Sequence, residues 1–102
     1  MGVDLKWENE NGRPIDEILD PQMCISHLVL KTDLTGTTCL RFIDPYGDTT
    51  FNQLQIPILI EELKSVLQKV QDKEIGDHLR RMIDLAEKSN GEVHTYLKFY
   101  GD

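Results

Sequence analysis

From Pro57 onward the chain carries a hydrophobic period that suits only a helix. Leu59, Ile60, Leu63, Val66, Leu67 and Val70 recur at spacings of three and four, which stacks them on one helical face. Pro57 fits a first turn, where no backbone donor is required. A second set, Ile75, Leu79, Met82, Ile83 and Ala86, keeps the spacing but slips out of phase, because Val70 to Ile75 is a step of five. One continuous helix would spread these residues around its circumference. Two helices in a hairpin, with Asp72 as N-cap of the second and Ser89-Asn90-Gly91 as its stop, keep both stripes on one core.

The hairpin needs a surface to cover, and the flanks supply one. Val3, Leu5 and Trp7 alternate with Asp4, Lys6 and Glu8, and Val93, Thr95, Leu97 and Phe99 alternate with His94, Tyr96, Lys98 and Tyr100. This is the period of a strand with one wet face. Asn9 to Arg13 forms a turn around Asn11-Gly12. Pro14 to Leu19 is predicted to be a single helical turn, since Ile15, Ile18 and Leu19 then share a face, and Pro21 ends it. Met23 to Lys31 and Thr37 to Ile43 are more continuously apolar and are joined by Thr32-Asp33-Leu34-Thr35-Gly36, so they are predicted to be the central antiparallel pair. Asp44-Pro45-Tyr46-Gly47 has the residues of a type I turn, and Thr49 to Leu54 follows as a short strand.

The expected architecture is a single α+β domain over residues 1–102, an antiparallel sheet of four to five strands in the order β-β-β-(β)-α-α-β, with the helical hairpin on one face. The Val3, Leu5, Trp7 and Val93, Leu97, Phe99 rows would face the helices. Lys6, His94, Tyr96 and Lys98 would lie on the opposite face, available for binding.

Charge narrows the function. Eighteen acidic side chains against eleven basic ones give −7, and no basic cluster is present, so nucleic acid is not an expected partner. The excess lies in the first half: through Gln55 there are nine acids and four bases, and Glu8 to Asp20 alone holds Glu8, Glu10, Asp16, Glu17 and Asp20 against Arg13. Such a segment can steer a basic protein. It can also simply keep a small protein soluble. No apolar run reaches the roughly 20 residues of a membrane span. The first residues have no signal-like core, which points to a cytoplasmic protein without membrane attachment. Cys24 and Cys39, in apolar surroundings, are expected to be buried and reduced.

Several constellations carry side chains capable of chemistry. Asp44 and Asp48 flank a tight turn and could share a hard cation, but no third carboxylate follows at calcium-loop spacing. Turn bracing explains both more simply. Cys24-Ile25-Ser26-His27, with Cys39 and His94, contains zinc-ligand types, yet in a strand positions 24 and 27 point to opposite faces and can act neither as one metal site nor as nucleophile and base. His78 sits among Asp77, Arg80, Arg81, Asp84 and Glu87 on what looks like an ordinary charged helix face. His94, Tyr96 and Tyr100 could form a binding patch on the last strand. No dinucleotide, Walker, zincin or nucleophile-elbow motif occurs. No metal, cofactor or catalytic residue is therefore expected, and an enzyme is the less favoured class.

The segment Arg-Phe-Ile-Asp-Pro-Tyr-Gly-Asp-Thr-Thr-Phe-Asn from Arg41 to Asn52, running into Leu54-Gln55-Ile56-Pro57, resembles a group of small bacterial proteins that share an Arg-Phe-Ile-Asp-x-Tyr-Gly-Asp-Thr-x-Phe-Asn string. The resemblance implies a bacterial origin and brings no activity with it. The expected function is recognition of a basic protein by an acidic inhibitor or immunity-type domain. The expected binding residues are Glu10, Asp16 and Glu17, with Asp44, Tyr46, Asp48 and Asn52 at the turn. The alternatives are a small metal-dependent enzyme built on Asp44 and Asp48, and a homo-oligomer paired through a sheet edge.

Overall fold

The computed structural model describes residues 2–101, and the two central strands of its sheet come from opposite ends of the chain. The elements are β1 (Asp4–Asn9), β2 (Pro14–Ile18), α1 (Cys24–Lys31), a 3₁₀ turn (Leu40–Phe42), β3 (Asp48–Phe51), α2 (Ile56–Lys69), α3 (Lys73–Ser89) and β4 (Thr95–Tyr100). The sheet order is β2-β1-β4-β3, antiparallel throughout.

Pairing places Leu5 opposite Phe99 and Trp7 opposite Leu97, with Phe51 on the far side of Leu97. This apolar row lies under the helices. Phe51 and Phe99 meet edge to face at 5.9 Å between centroids, an arrangement that aromatic quadrupoles favour. Above them Leu59 and Leu63 of α2 and Leu79, Met82 and Ala86 of α3 are buried in one cluster. The sequence period thus identified both helices and their inward faces. Asp72 caps α3 as expected, accepting from Ile75 N at 3.1 Å, and Gly91 takes the left-handed conformation (φ 89°) after its end.

The middle of the chain differs from expectation. Met23 to Lys31 is not a strand: Cys24–Lys31 is helical, with Cys24, Ile25 and Leu28 buried on one face. A short apolar run fits a buried strand and a buried helix equally well, and the deciding signal lies just before it, where Asp20 supplies the cap. Thr37 to Ile43 is a turn-rich segment ending in the 3₁₀ turn, and its donors go to a side chain instead of to a ladder. The Glu62 carboxylate on α2 accepts from Thr38 N at 2.6 Å, Cys39 N at 3.0 Å and Leu40 N at 3.1 Å.

Pro14 to Leu19 is also not helical but forms edge strand β2, where Pro14 is tolerated at the first position. The Asn9 side chain organises the hairpin turn by accepting from Asn11 N and Arg13 N, with Gly12 at φ 78°. The predicted strand order and optional fifth strand are therefore replaced by four strands and three helices among the described residues. Val93 does not join the inward row, because His94 adopts φ 62° and the strand begins only at Thr95.

Two glycines permit backbone contacts that hold the ends in place. A Cβ on Gly2 would stand 1.8 Å from Asp20 O, and one on Gly101 would stand 2.6 Å from both Asp44 O and Gly47 O. Gly101 N donates to Gly47 O at 2.7 Å, so the Asp44 turn is clasped by the residue after β4.

Candidate functional site

The Asp44 to Gln55 segment spends most of its polar capacity on the chain itself. Asp44 Oδ1 accepts from Tyr46 N at 2.8 Å, and Asp44 N donates to Thr49 Oγ1. Asp48 Oδ2 lies 3.7 Å from Lys98 Nζ. Asn52 Oδ1 accepts from Leu54 N and Gln55 N, capping the turn that leads into α2. Gln53 ties Ser89 O, Thr95 O and Gly91 N together, fixing the passage from α3 to β4. Tyr46 and Leu54 project their large side chains into solvent. Asp44 and Asp48 belong to no group of three metal-capable side chains among the described residues.

Most of the acidic segment lies in the β1–β2 hairpin, where a turn and one helical turn were expected, and two of its five acids are unavailable. Glu8 is buried on the outer sheet face, where Tyr100 Oη donates to it. Burial, with this bond to the Glu8 carboxylate, pushes the Tyr100 phenol up to about 12. Lys6 and Lys98 stand over the same ring at 5.1 and 4.7 Å from its centroid. Asp20 is buried at the start of α1. Glu10, Asp16 and Glu17 remain exposed: Glu10 meets His94 Nδ1 at 3.3 Å and Glu17 meets Lys6 at 3.6 Å. Asp16 Oδ1 accepts from the neighbouring Glu17 N at 2.8 Å.

An open groove of about 720 Å³ runs between the end of β2 and the first half of α3. Glu17, Glu74 and Asp77 supply negative charge there, Arg80 and Arg81 positive. A second concavity also includes Ile18 and Arg81 and is lined by Asp16 of β2 and by Asp84, Leu85 and Lys88 of α3. Asp20, Cys24 and His78 also line the main groove, and their potential ligand atoms all lie within 4.8 Å of one another.

Asp20 organises this corner. Its Oδ2 accepts from Val3 N at 3.1 Å and Ile25 N at 3.0 Å, and its Oδ1 accepts from Cys24 N at 2.7 Å. The N-terminal segment and the first turn of α1 are thereby joined at one carboxylate. Met23, the residue before the helix, offers no side-chain cap and is held at φ 58°. His78, only 2% exposed, reaches in from α3 with Nε2 3.8 Å from Asp20 Oδ1, beyond hydrogen-bonding distance. Its Nδ1 lies 3.3 Å from Arg81 Nη2. Because guanidinium can only donate, this contact assigns the ring proton to Nε2. Burial holds the His78 pKa below its ordinary value against the opposing pull of Asp20. Burial, and then Asp20, push the Cys24 thiol up.

The zinc-ligand types Cys24, His27, Cys39 and His94, which the sequence argued against as one site, are not brought together. His27 is exposed on α1, His94 is at the Glu10 end of the sheet, and Cys39 points its thiol at Gln55 O from 3.8 Å. Cys24 instead meets His78 and Asp20, a grouping that depends on α1 packing against α3. The only local sign of it is an acid followed by proline ahead of an apolar run.

No protein-family profile matches the chain, and no curated protein or solved structure matches it at a significant level. No helix among the described residues is long and apolar enough to cross a membrane.

Proposed function

We propose that the chain is a non-catalytic recognition domain of the inhibitor or immunity type, which takes an extended, basic segment of a partner protein along β2. The observation that carries this reading is that β2 is an edge strand with solvent-exposed residues, acidic at Asp16 and Glu17, beside a groove. An unpaired edge offers main-chain hydrogen bonds to an incoming strand, and flanking pockets offer selection among its side chains. Exposed Ile15 and Leu19 add apolar contact at either end. The Asp16 carboxylate on Glu17 N occupies one edge donor, a device that discourages indiscriminate pairing.

Self-association through the same edge is less favoured, since two copies would bring the acids at positions 16 and 17 of each into one ladder, where like charges repel. The Asp44 and Asp48 enzyme reading gains nothing from side chains engaged with Tyr46 N and Lys98.

The test is reversal of Glu10, Asp16 and Glu17 to Lys in a chain whose circular dichroism is unchanged. Against the partner captured from the source organism, association should slow more than dissociation quickens, and raising salt should mimic the substitution as the screening length falls from about 10 Å at 0.1 M to about 3 Å at 1 M. Hydrogen exchange in the complex should slow along β2. A footprint elsewhere, or an association rate indifferent to both salt and charge reversal, would overturn the assignment.

A further inference from the structure

The corner formed by Asp20, Cys24 and His78 contains an anomaly that capping does not explain. His78 Nε2 is buried and makes no hydrogen bond among the described residues. A buried polar atom without a partner costs free energy, and natural cores hold few of them. It faces a carboxylate and a thiol that are themselves buried. Among the described residues Asp20 Oδ1 takes a single backbone N–H, from Cys24, which leaves one lone pair for another partner.

We propose that Asp20 Oδ1, Cys24 Sγ and His78 Nε2 are the protein ligands of a divalent transition-metal ion of the zinc class, bound at the floor of the groove. Imidazole and thiolate select borderline-soft ions over Mg²⁺ or Ca²⁺, which take oxygen. Tetrahedral coordination sets N, O and S ligands roughly 3.3–3.6 Å apart. The 3.8 Å between Nε2 and Oδ1, and the 4.8 Å that bounds all three atoms, require only a small inward movement. Charge also balances, because a dication with one carboxylate, one thiolate and a neutral imidazole is neutral overall, as a buried site demands. A thiol beside a carboxylate is poorly disposed to become a free nucleophile, whereas a cation between them stabilises its ionised form.

The protons balance as follows. Cys24 releases its thiol proton to solvent, and the imidazole proton passes through solvent from Nε2 to Nδ1, leaving the Nε2 lone pair for the ion. One proton leaves per ion bound. Nδ1 then no longer accepts from Arg81, whose exposed side chain turns into solvent. Since all three ligands line the groove, the ion can enter from it and its fourth position faces water there.

The test is titration of the full chain with Co²⁺, in a Cys39→Ser background so that Cys24 is the only thiol. One ion per chain should bind with a thiolate-to-cobalt charge-transfer band in the near ultraviolet. Cys24→Ser should abolish that band, and His78→Gln should weaken binding by at least about 100-fold, the upper end of what losing a ligand's orienting partner costs. Arg81→Leu, which frees Nδ1, should bind at least as tightly as the parent. Because His78→Gln removes a buried side chain, ¹⁵N resonances of His78 in the unsubstituted chain provide a second readout: the ring should pass from the Nε2–H to the Nδ1–H tautomer as Co²⁺ is added. A band that survives Cys24→Ser, or millimolar Co²⁺ that produces neither the band nor the tautomer change, overturns the proposal.

Discussion

Replacing Glu62 by Gln tests whether one carboxylate holds the middle of the chain against α2. Oε2 serves Thr38 N and the Thr38 hydroxyl, at 2.6 and 3.2 Å, while Oε1 serves Cys39 N and Leu40 N, at 3.0 and 3.1 Å. Glutamine has one oxygen, so it can keep one side of this arrangement and must turn an NH₂ toward donors on the other. Hydrogen bonds to a charged group contribute about 1.5–3 kcal/mol each, and Glu62 is partly exposed, so loss of one side is expected to cost about 2–4 kcal/mol. At about 4 °C per kcal/mol for a domain of this size, Tm should fall by roughly 8–16 °C at pH 7. The effect should depend on pH in a defined direction. Burial alone would raise the Glu62 pKa, but the bonds from Thr38, Leu40 and Cys39 outweigh it and hold the group below its usual 4.5. A carboxyl with a depressed folded pKa stabilises fully above its unfolded value and loses that contribution as pH falls through the folded one. Melting curves of the two proteins should therefore differ by a constant amount near neutrality and converge as the pH drops below about 4.5. Equal Tm values at pH 7, or a difference unchanged down to pH 3, would refute the argument.

Leu63→Ala and Leu79→Ala should each cost about 2–5 kcal/mol by urea denaturation, since both side chains are buried on facing helices, and a midpoint unmoved by either would mean the hairpin is packed otherwise. Spectrophotometric titration should find one of the three tyrosines ionising only near pH 12, and Tyr100→Phe should remove that step. Because the folded pKa is raised from the usual 10.0, the associated stability is intact below that value and is lost as pH rises toward about 12. A titration curve that Tyr100→Phe leaves unchanged would contradict the Glu8-bound phenol.

The parts of the fold legible in the sequence are those whose period repeats often enough to exclude a rival. Fourteen and seventeen residues of α2 and α3 give each apolar stripe several turns, and the alternation in β1 and β4 is regular. The eight residues of α1 give barely two turns, so Ile25, Leu28 and Val29 read equally as a strand. In β2, Ile15 and Ile18 stand three apart and imitate a helix face, because the pairing with β1 slips at Trp7/Glu8 and breaks the alternation. The same limit applies to the sites. The exposure of Glu10, Asp16 and Glu17 followed from their setting in a polar segment, whereas the burial of Glu8 and Asp20 depends on Tyr100 and on the α1 terminus. Cys24 and His78 meet only because α1 lies against α3, and no local pattern records that.

The adjacency of β1 and β4 also determines when the protein can come together. The Glu8 to Tyr100 contact spans 92 positions, so the central ladder closes a loop that includes nearly the entire chain. Loops of that size close late, after local contacts have formed. A chain emerging from the ribosome therefore presents the β1–β2 hairpin first, with Leu5 and Trp7 uncovered, while α2 and α3 can pair with each other as soon as both are made. Until Thr95–Tyr100 is synthesised, β1 lacks its central neighbour and β3 lacks its only one. Folding is thus gated by β4, and until that strand is made the nascent hairpin has an apolar face that it cannot bury by itself.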